Sequence, residues 1–219
     1  MPDREQARHR MVDAQISRRG VRDERVLAAL RTVPREAFVD EGFEASAYED
    51  SALPIGSGQT ISQPYIVARM AEAAAIGEAD RVLEIGTGSG YAAAVLGRLA
   101  REVFTIERHA ALAARAESRL RASGCGNVTV RVGDGTRGWP EKAPFDAILV
   151  AAGGPSVPAA LQEQLETGGR LIIPVGDERR TQRLLRITRT GATRFEEEDL
   201  GGVMFVPLIG EQGWSDEPG

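Results

Sequence analysis

The stretch VLEIGTGSGYAAAVL at 82–96 constrains the fold more than any other. An aliphatic run enters a three-glycine turn, and an alanine-rich run leaves it. A strand that passes through a tight glycine turn directly into a helix is the repeating unit of a parallel sheet, because the helix carries the chain back across the sheet face. At such a turn the free backbone N–H groups and the helix dipole favour an anionic or carboxylate-bearing ligand. Four more β-rich runs follow (EVFTI, NVTVRV, FDAILV and GRLIIPV), with helical stretches expected near 90–100, 109–122 and 157–166. Strands alternating with helices imply a doubly wound α/β domain. TQRLLRITRT at 181–190 and GVMFVPLI at 202–209 read as two further strands with no helix between them, an antiparallel pair at one edge. The expected fold class is therefore α/β, with a mostly parallel seven-stranded sheet.

The residues before this unit have a different texture. Met11, Ala14, Gln15 and Arg18 recur at helical spacing, and Val26, Leu27 and Leu30 form a second apolar stripe before Pro34, so 4–40 reads as an N-terminal helical extension. Positions 41–63 follow neither period and hold Gly42, Pro54, Gly56 and Gly58, which predicts a long irregular segment. Such segments inside compact domains tend to be functional. Pro64 suits a first helical turn, and Ile66, Val67, Met70, Ala71 and Ala74 carry that helix to about Ile76. The expected division is 1–78 for helices and a covering loop, 79–210 for the ligand-binding α/β domain, and 211–219 for a tail.

Composition excludes several classes of function. The longest apolar run, FDAILVAAGG at 145–154, is too short to span a bilayer, and the start, MPDREQARHR, is charged where a signal peptide is apolar. A cytoplasmic protein without a membrane partner is expected. Lys142 is the only lysine among the 27 basic residues, and arginines alternate with acids, as in RDER at 22–25, so no basic face for nucleic acid arises. Cys125 lies among glycines in an expected turn, with no second cysteine to pair with. EEED at 196–199 reads as a solvated turn or strand end.

The chemistry is in the spacing. Gly86, Gly88 and Gly90 form G-x-G-x-G, whereas nicotinamide-binding domains set the third glycine one residue later. Glu84 directly before the loop would repel a pyrophosphate but suits a ligand carrying ammonium and sulfonium charges. Glu107 ends the next strand, 21 residues after Gly86, at a spacing where an acid reaches a ribose diol. The pattern resembles the class I S-adenosylmethionine-dependent methyltransferases, with their Rossmann-like fold. That resemblance implies cofactor contacts from Glu84, Gly86, Thr87, Gly88, Ser89, Gly90, Glu107 and Arg108. It adds Asp134 and Gly135 of the GDG turn at 133–135, the acid lying against the adenine amino group.

Four stretches, ALPIGSGQTISQPYIVA at 52–68, VLEIGTGSGY, GDGTRGWPEKAPFDAILVAAG at 133–153 and GGRLIIPVG at 168–176, resemble in that order the protein-L-isoaspartate O-methyltransferases, and the likeness runs to FVPLIG at 205–210. It implies methyl transfer from S-adenosylmethionine, leaving S-adenosylhomocysteine, to the free carboxylate of L-isoaspartyl, and by extension D-aspartyl, residues of damaged proteins. It also implies that Ser62 orients the acceptor while Gln59, Thr60 and Ile61 close over the methionine side of the cofactor, and that the last two strands follow an unusual order. Ser57 departs from the tyrosine that bacterial members often carry. A carboxylate acceptor of ordinary pKa is already ionised at neutral pH and needs no general base. Positioning and water exclusion should dominate instead. His9 and His109 accordingly read as solvated, and no His/Cys/Asp cluster has metal-ligand spacing, so no metal is implied. The plainer reading of Thr60 and Ser62 is as caps of the helix at Pro64. The rival functions are a class I methyltransferase with a small-molecule or RNA acceptor, a non-catalytic cofactor-binding adaptor, and a dehydrogenase. A monomer is expected.

Overall fold

The computed structural model describes residues 3–177 and 181–216; the last three residues of the expected 211–219 tail lie outside the described residues. Helix α1 (Arg4–Met11) starts where Asp3 accepts from the Glu5 N–H at 3.0 Å, continues through a π turn and a 3₁₀ turn, and ends at Gly20, whose φ is 105°. Helix α2 (Glu24–Thr32) is capped by Asp23, which accepts from the Arg25 and Val26 amides, and buries Val26, Leu27, Ala29 and Leu30. The predicted helical extension is thus two helices broken at Gly20.

The segment expected to be irregular is not structureless. After 3₁₀ turns at Arg35–Ala37 and Glu44–Ser46, strands β1 (Leu53–Gly56) and β2 (Gln59–Ile61) form an antiparallel hairpin. Its two-residue loop, Ser57 (φ 54°) and Gly58 (φ 68°), has the left-handed conformation at both positions, as a type I′ turn requires. Helix α3 (Pro64–Ala74) follows, with Pro64 in its first turn as predicted and an earlier end, set by left-handed Ala75.

The α/β part then runs β3 (Arg81–Ile85), α4 (Tyr91–Leu96), β4 (Glu102–Glu107), α5 (Ala110–Ala122), β5 (Val128–Val132), β6 (Phe145–Val150), α6 (Ala159–Glu163), β7 (Leu165–Val175), β8 (Gln182–Arg189) and β9 (Phe195–Val203). The sheet order is β5-β4-β3-β6-β7-β8-β9; β5 to β7 pair in parallel, and β8 and β9 are antiparallel. The chain leaves β3 toward β4 and β5 and returns to β6 on the other side of β3. Ligands of open α/β sheets bind at such a switch point, beyond the strands' carboxyl ends. One apolar core lies between the sheet and the N-terminal helices with α3 and α4; the other lies on the opposite face around Leu83, Phe104, Phe145 and Ile148.

The seventh strand differs from expectation. It is FEEEDLGGV, so the acidic run, expected as a solvated turn or strand end, forms the first half of the edge strand, where Glu197, Glu198 and Asp199 meet Arg183 and Arg186 of β8. Charge on an edge strand also discourages pairing with another sheet. The apolar GVMFVPLI run leaves the sheet after Val203 and crosses its carboxyl edge, where Pro207 bridges Gly153.

Candidate active site

The turn after β3 is shaped by close packing. A Cβ at Gly90, whose φ is 90°, would stand 3.3 Å from both Ala116 and Leu120 of α5, so only glycine lets this helix start sit so near its neighbour. Glu107, at the end of β4, is 4% exposed. Its carboxylate accepts from the Gly88 amide at 2.8 Å and the His109 amide at 3.0 Å, which fixes it at the mouth of the glycine loop. Ser89 turns its Oγ back to accept from the Tyr91 amide.

Strand alternation puts Glu84 on the same face as Val82, beneath α3 and α4. There it is fully buried and accepts from Thr105 Oγ1 at 2.6 Å, while Thr105 and Thr87 share a second hydroxyl contact at 2.6 Å. Burial pushes the Glu84 carboxyl up to about 8; the Thr105 bond opposes this, and the charge of Glu107 adds to it. Glu84 therefore lines a small apolar cavity with Val67, Met70, Ala92 and Leu96, behind the main cleft.

The main cleft opens at the carboxyl ends of β3 and β4. It brings together Gln59, Thr60, Ile61, Ser62, Gly86, Thr87, Gly88, Ser89, Glu107, Arg108 and Gly135 of the sequence-predicted residues, from segments far apart in the chain. Gly90 shapes the loop without lining the cleft. Asp134 lies in an adjoining depression with Arg108, Ile209 and Trp214. Its Oδ1 accepts from the amide and hydroxyl of Thr136, and its Oδ2 from the Glu211 amide. Burial would raise this carboxyl, but those bonds hold it below the usual carboxylate range.

Ser62 sits where three spaces meet: the main cleft, the apolar cavity by Glu84, and an open groove lined by Arg19, Tyr65, Arg69, Met204 and Phe205. The capping expectation fails here. The residue before α3 is Gln63, the helix has no side-chain cap, and neither Thr60 nor Ser62 makes a side-chain hydrogen bond among the described residues. Pro64 at the first position has already removed one of the donors a cap would satisfy.

The hairpin is clamped to the α/β part. Ile55 Cδ1 lies 3.2 Å from where a Cβ of Gly88 would stand, and Arg115 of α5 donates to the Ile55 carbonyl. Arg115 and Arg119 also bracket Asp40, whose carboxyl is held low, chiefly by the Arg119 bond. In the segment that leads into the hairpin, Arg35 is completely buried and donates to the carbonyls of Ala47 and Ser51.

Sequence reasoning missed Arg35, because arginine is read as a surface residue. It also took His109 as solvated. The ring is instead half-buried at the cleft, and its Nε2 is buried with no hydrogen bond among the described residues. Its place two residues after Glu107, at the start of α5, was the available signal. His9 is exposed on α1, as expected. Cys125 is buried, which raises its thiol pKa and suits an inert residue. Among the described residues no group of three or more His, Cys, Asp and Glu could hold a metal ion.

Comparison with known proteins bears on this cleft. The profile of the family described as protein-L-isoaspartate(D-aspartate) O-methyltransferase matches residues 6–213. The chain is 58% identical over 212 residues to the protein-L-isoaspartate O-methyltransferase of Brucella anthropi, covering 97% of each. It is 61% identical over 208 residues to protein-L-isoaspartate O-methyltransferase 1 of Rhodopseudomonas palustris, covering 95% of this chain and 85% of that one. A solved protein-L-isoaspartate O-methyltransferase superposes with a TM-score of 0.84 at 29% identity, over 96% of this chain and 67% of the other. The fold recurs at TM-score 0.78 and 24% identity in a Plasmodium falciparum protein whose structure holds S-adenosyl-L-homocysteine.

Proposed function

The chain belongs to the protein-L-isoaspartate(D-aspartate) O-methyltransferase family, and from that premise we propose that Ser62 holds the acceptor while the loop at 86–90 and Glu107 hold the methyl donor. The protein is a repair methyltransferase that moves a methyl group from S-adenosylmethionine to the free carboxylate of isoaspartyl residues in damaged proteins. The observation that carries the assignment of roles is the position of Ser62, its hydroxyl without a partner among the described residues, at the junction of the cleft and the groove.

The donor set fits the cofactor. Glu107 is fixed by two amides with lone pairs to spare for a ribose diol, and a Cβ at Gly135 would lie 2.3 Å from Ile85, so the cleft floor admits nothing larger. S-adenosylmethionine supplies the activated methyl group when bound. Thr87, Ser89 and Arg108 line the same cleft around Glu107, and Gln59, Thr60 and Ile61 cover its methionine side. Asp134, ionised and with a lone pair left on Oδ2, takes the adenine amino group. Glu84 acts from behind the loop, where a ligand ammonium would favour its ionised form.

On the acceptor side, the carboxylate arrives ionised and no residue has to remove a proton. Ser62 donates its hydroxyl to one carboxylate oxygen and aims the other into the cleft; the hairpin excludes water. Residues 1–78 thus act as cover and acceptor platform, and 79–210 as the cofactor-binding unit. A cytoplasmic monomer without nucleic-acid or membrane partners belongs to the same reading. No helix among the described residues is long and apolar enough to cross a membrane.

Transfer of labelled methyl from S-adenosylmethionine to an isoaspartyl peptide, beside the same peptide with normal aspartate, tests the function. Label should enter only the isoaspartyl peptide; equal labelling of both would refute the acceptor assignment.

A further inference from the structure

The groove beside Ser62 carries two arginines in unlike states. Arg19 is engaged: its guanidinium pairs with Asp50 at 2.6 Å and lies 3.5 Å above the centre of the Tyr65 ring. Arg69 makes no hydrogen bond or ion pair among the described residues, although its side chain is half-buried in the groove wall. Its Nη2 rests 3.4 Å from where a Cβ of Gly201 would stand, beside the end of β9. Acids near it are already taken. Glu72, three residues on, accepts from the Arg22 and Asp23 amides at 2.5 and 2.8 Å, and Asp199 accepts from the Gly201 amide at 2.7 Å and pairs with Arg183.

A half-buried guanidinium with unused donors is a ready partner for a carboxylate. Helical spacing places Arg69 on one face of α3 with Tyr65 and Ile66, and all three line the groove that Ser62 opens into. We propose that Arg69 reads an acidic side chain of the acceptor polypeptide, so that the preferred substrates carry their isoaspartate within acidic sequence. The proposal rests on the assignment of the groove to the acceptor. Arg69 lies five residues into α3 from Pro64, about 7 Å along the axis. An extended peptide advances about 3.3 Å per residue, so the acidic side chain stands about two to three residues from the isoaspartate. Met204, 80% exposed at the groove, adds a flexible apolar contact that carries no charge preference.

The test is a charge scan. In an otherwise uncharged isoaspartyl peptide, Glu replaces Gln at each of the three positions on either side, and kcat/KM is compared within each protein. For the wild type, Glu at a position two or three residues away should raise kcat/KM about three- to fivefold through KM, as expected for a solvent-accessible ion pair. Strong salt should erase the gain. Arg69→Gln should bring the Glu/Gln ratio to one whatever its absolute rate, Arg69→Lys should keep part of it, and Arg69→Glu should favour a Lys peptide instead. A wild-type ratio of one at every position, or the same ratio in Arg69→Gln, overturns the proposal. Failure of the groove assignment itself looks different: Ser62→Ala would then leave methylation of every isoaspartyl peptide in the scan unchanged.

Discussion

Two glycine-containing segments face each other across the cleft, and they use glycine for opposite ends. In 84–90 the glycines remove side chains from a packed interior: a Cβ at Gly90 meets α5 and one at Gly88 meets Ile55. In 56–64 they turn the chain at positive φ; a Cβ at Gly58 would touch nothing within 4 Å, and one at Gly56 would meet only the end of the Arg115 side chain. The first segment is held by buried carboxylates, Glu84 through Thr105 and Glu107 through the Gly88 amide. The second is held at its base by Ile55 and Arg115 and at its end by Gln63, which donates to the Asp50 carbonyl, and leaves the hydroxyls of Thr60 and Ser62 without partners among the described residues. In the proposed roles, one loop brings backbone close to the cofactor and the other delivers side chains to the acceptor.

The largest expected consequence of that contrast is in Glu84. Its ordinary pKa of 4.5 in the unfolded chain rises to about 8 in the fold. Between those values the unfolded state loses a proton that the folded state keeps, so stability falls as pH rises through this window, by about 1.4 kcal/mol per pH unit at most. Glu84→Gln should remove this slope and gain on the wild type by a few kcal/mol by pH 8. Urea midpoints at pH 5 and pH 8 measure it, and parallel changes in both proteins would mean that Glu84 is ionised throughout. No residue of the hairpin should give a comparable effect.

Glycine replacement separates the segments next. Gly90→Ala combines a left-handed φ with contacts at 3.3 Å and should cost about 2–4 kcal/mol. Gly58→Ala meets only the backbone penalty, about 1 kcal/mol. Thermal melts of the two variants decide, and equal losses would deny the difference in packing. Smaller again, Glu107→Ala removes a charged acceptor from the ribose side and should weaken cofactor binding about tenfold or more. Calorimetric titration with S-adenosylhomocysteine checks it, and an undiminished affinity takes Glu107 out of the ribose site.

The same contrast explains what the sequence disclosed. The buried loop lies between an aliphatic strand and an alanine-rich helix, so periodicity and glycine spacing exposed it, and Glu107 followed from the length of one strand-helix-strand unit. The hairpin was hidden because QTI is too short to show alternation, and its I′ turn uses Ser57 where asparagine or aspartate would announce it. Strand β9 was hidden for a related reason. As an edge strand it is solvated along most of its length and reads as an acidic run, while the apolar segment 206–209 owes its character to the cleft it lines. Arg35 and the tail bonds of Asp134 depend on residues 12 to 77 positions away, which no local pattern encodes.

The division of labour between the two segments is tested most directly by Ser62→Ala in single turnover, with the cofactor affinity measured on the same sample. Methyl transfer to an isoaspartyl peptide should slow by about tenfold or more while the affinity for S-adenosylhomocysteine stays within about twofold of the wild type. An unchanged rate, or a loss of cofactor binding that accounts for the slower one, would contradict it.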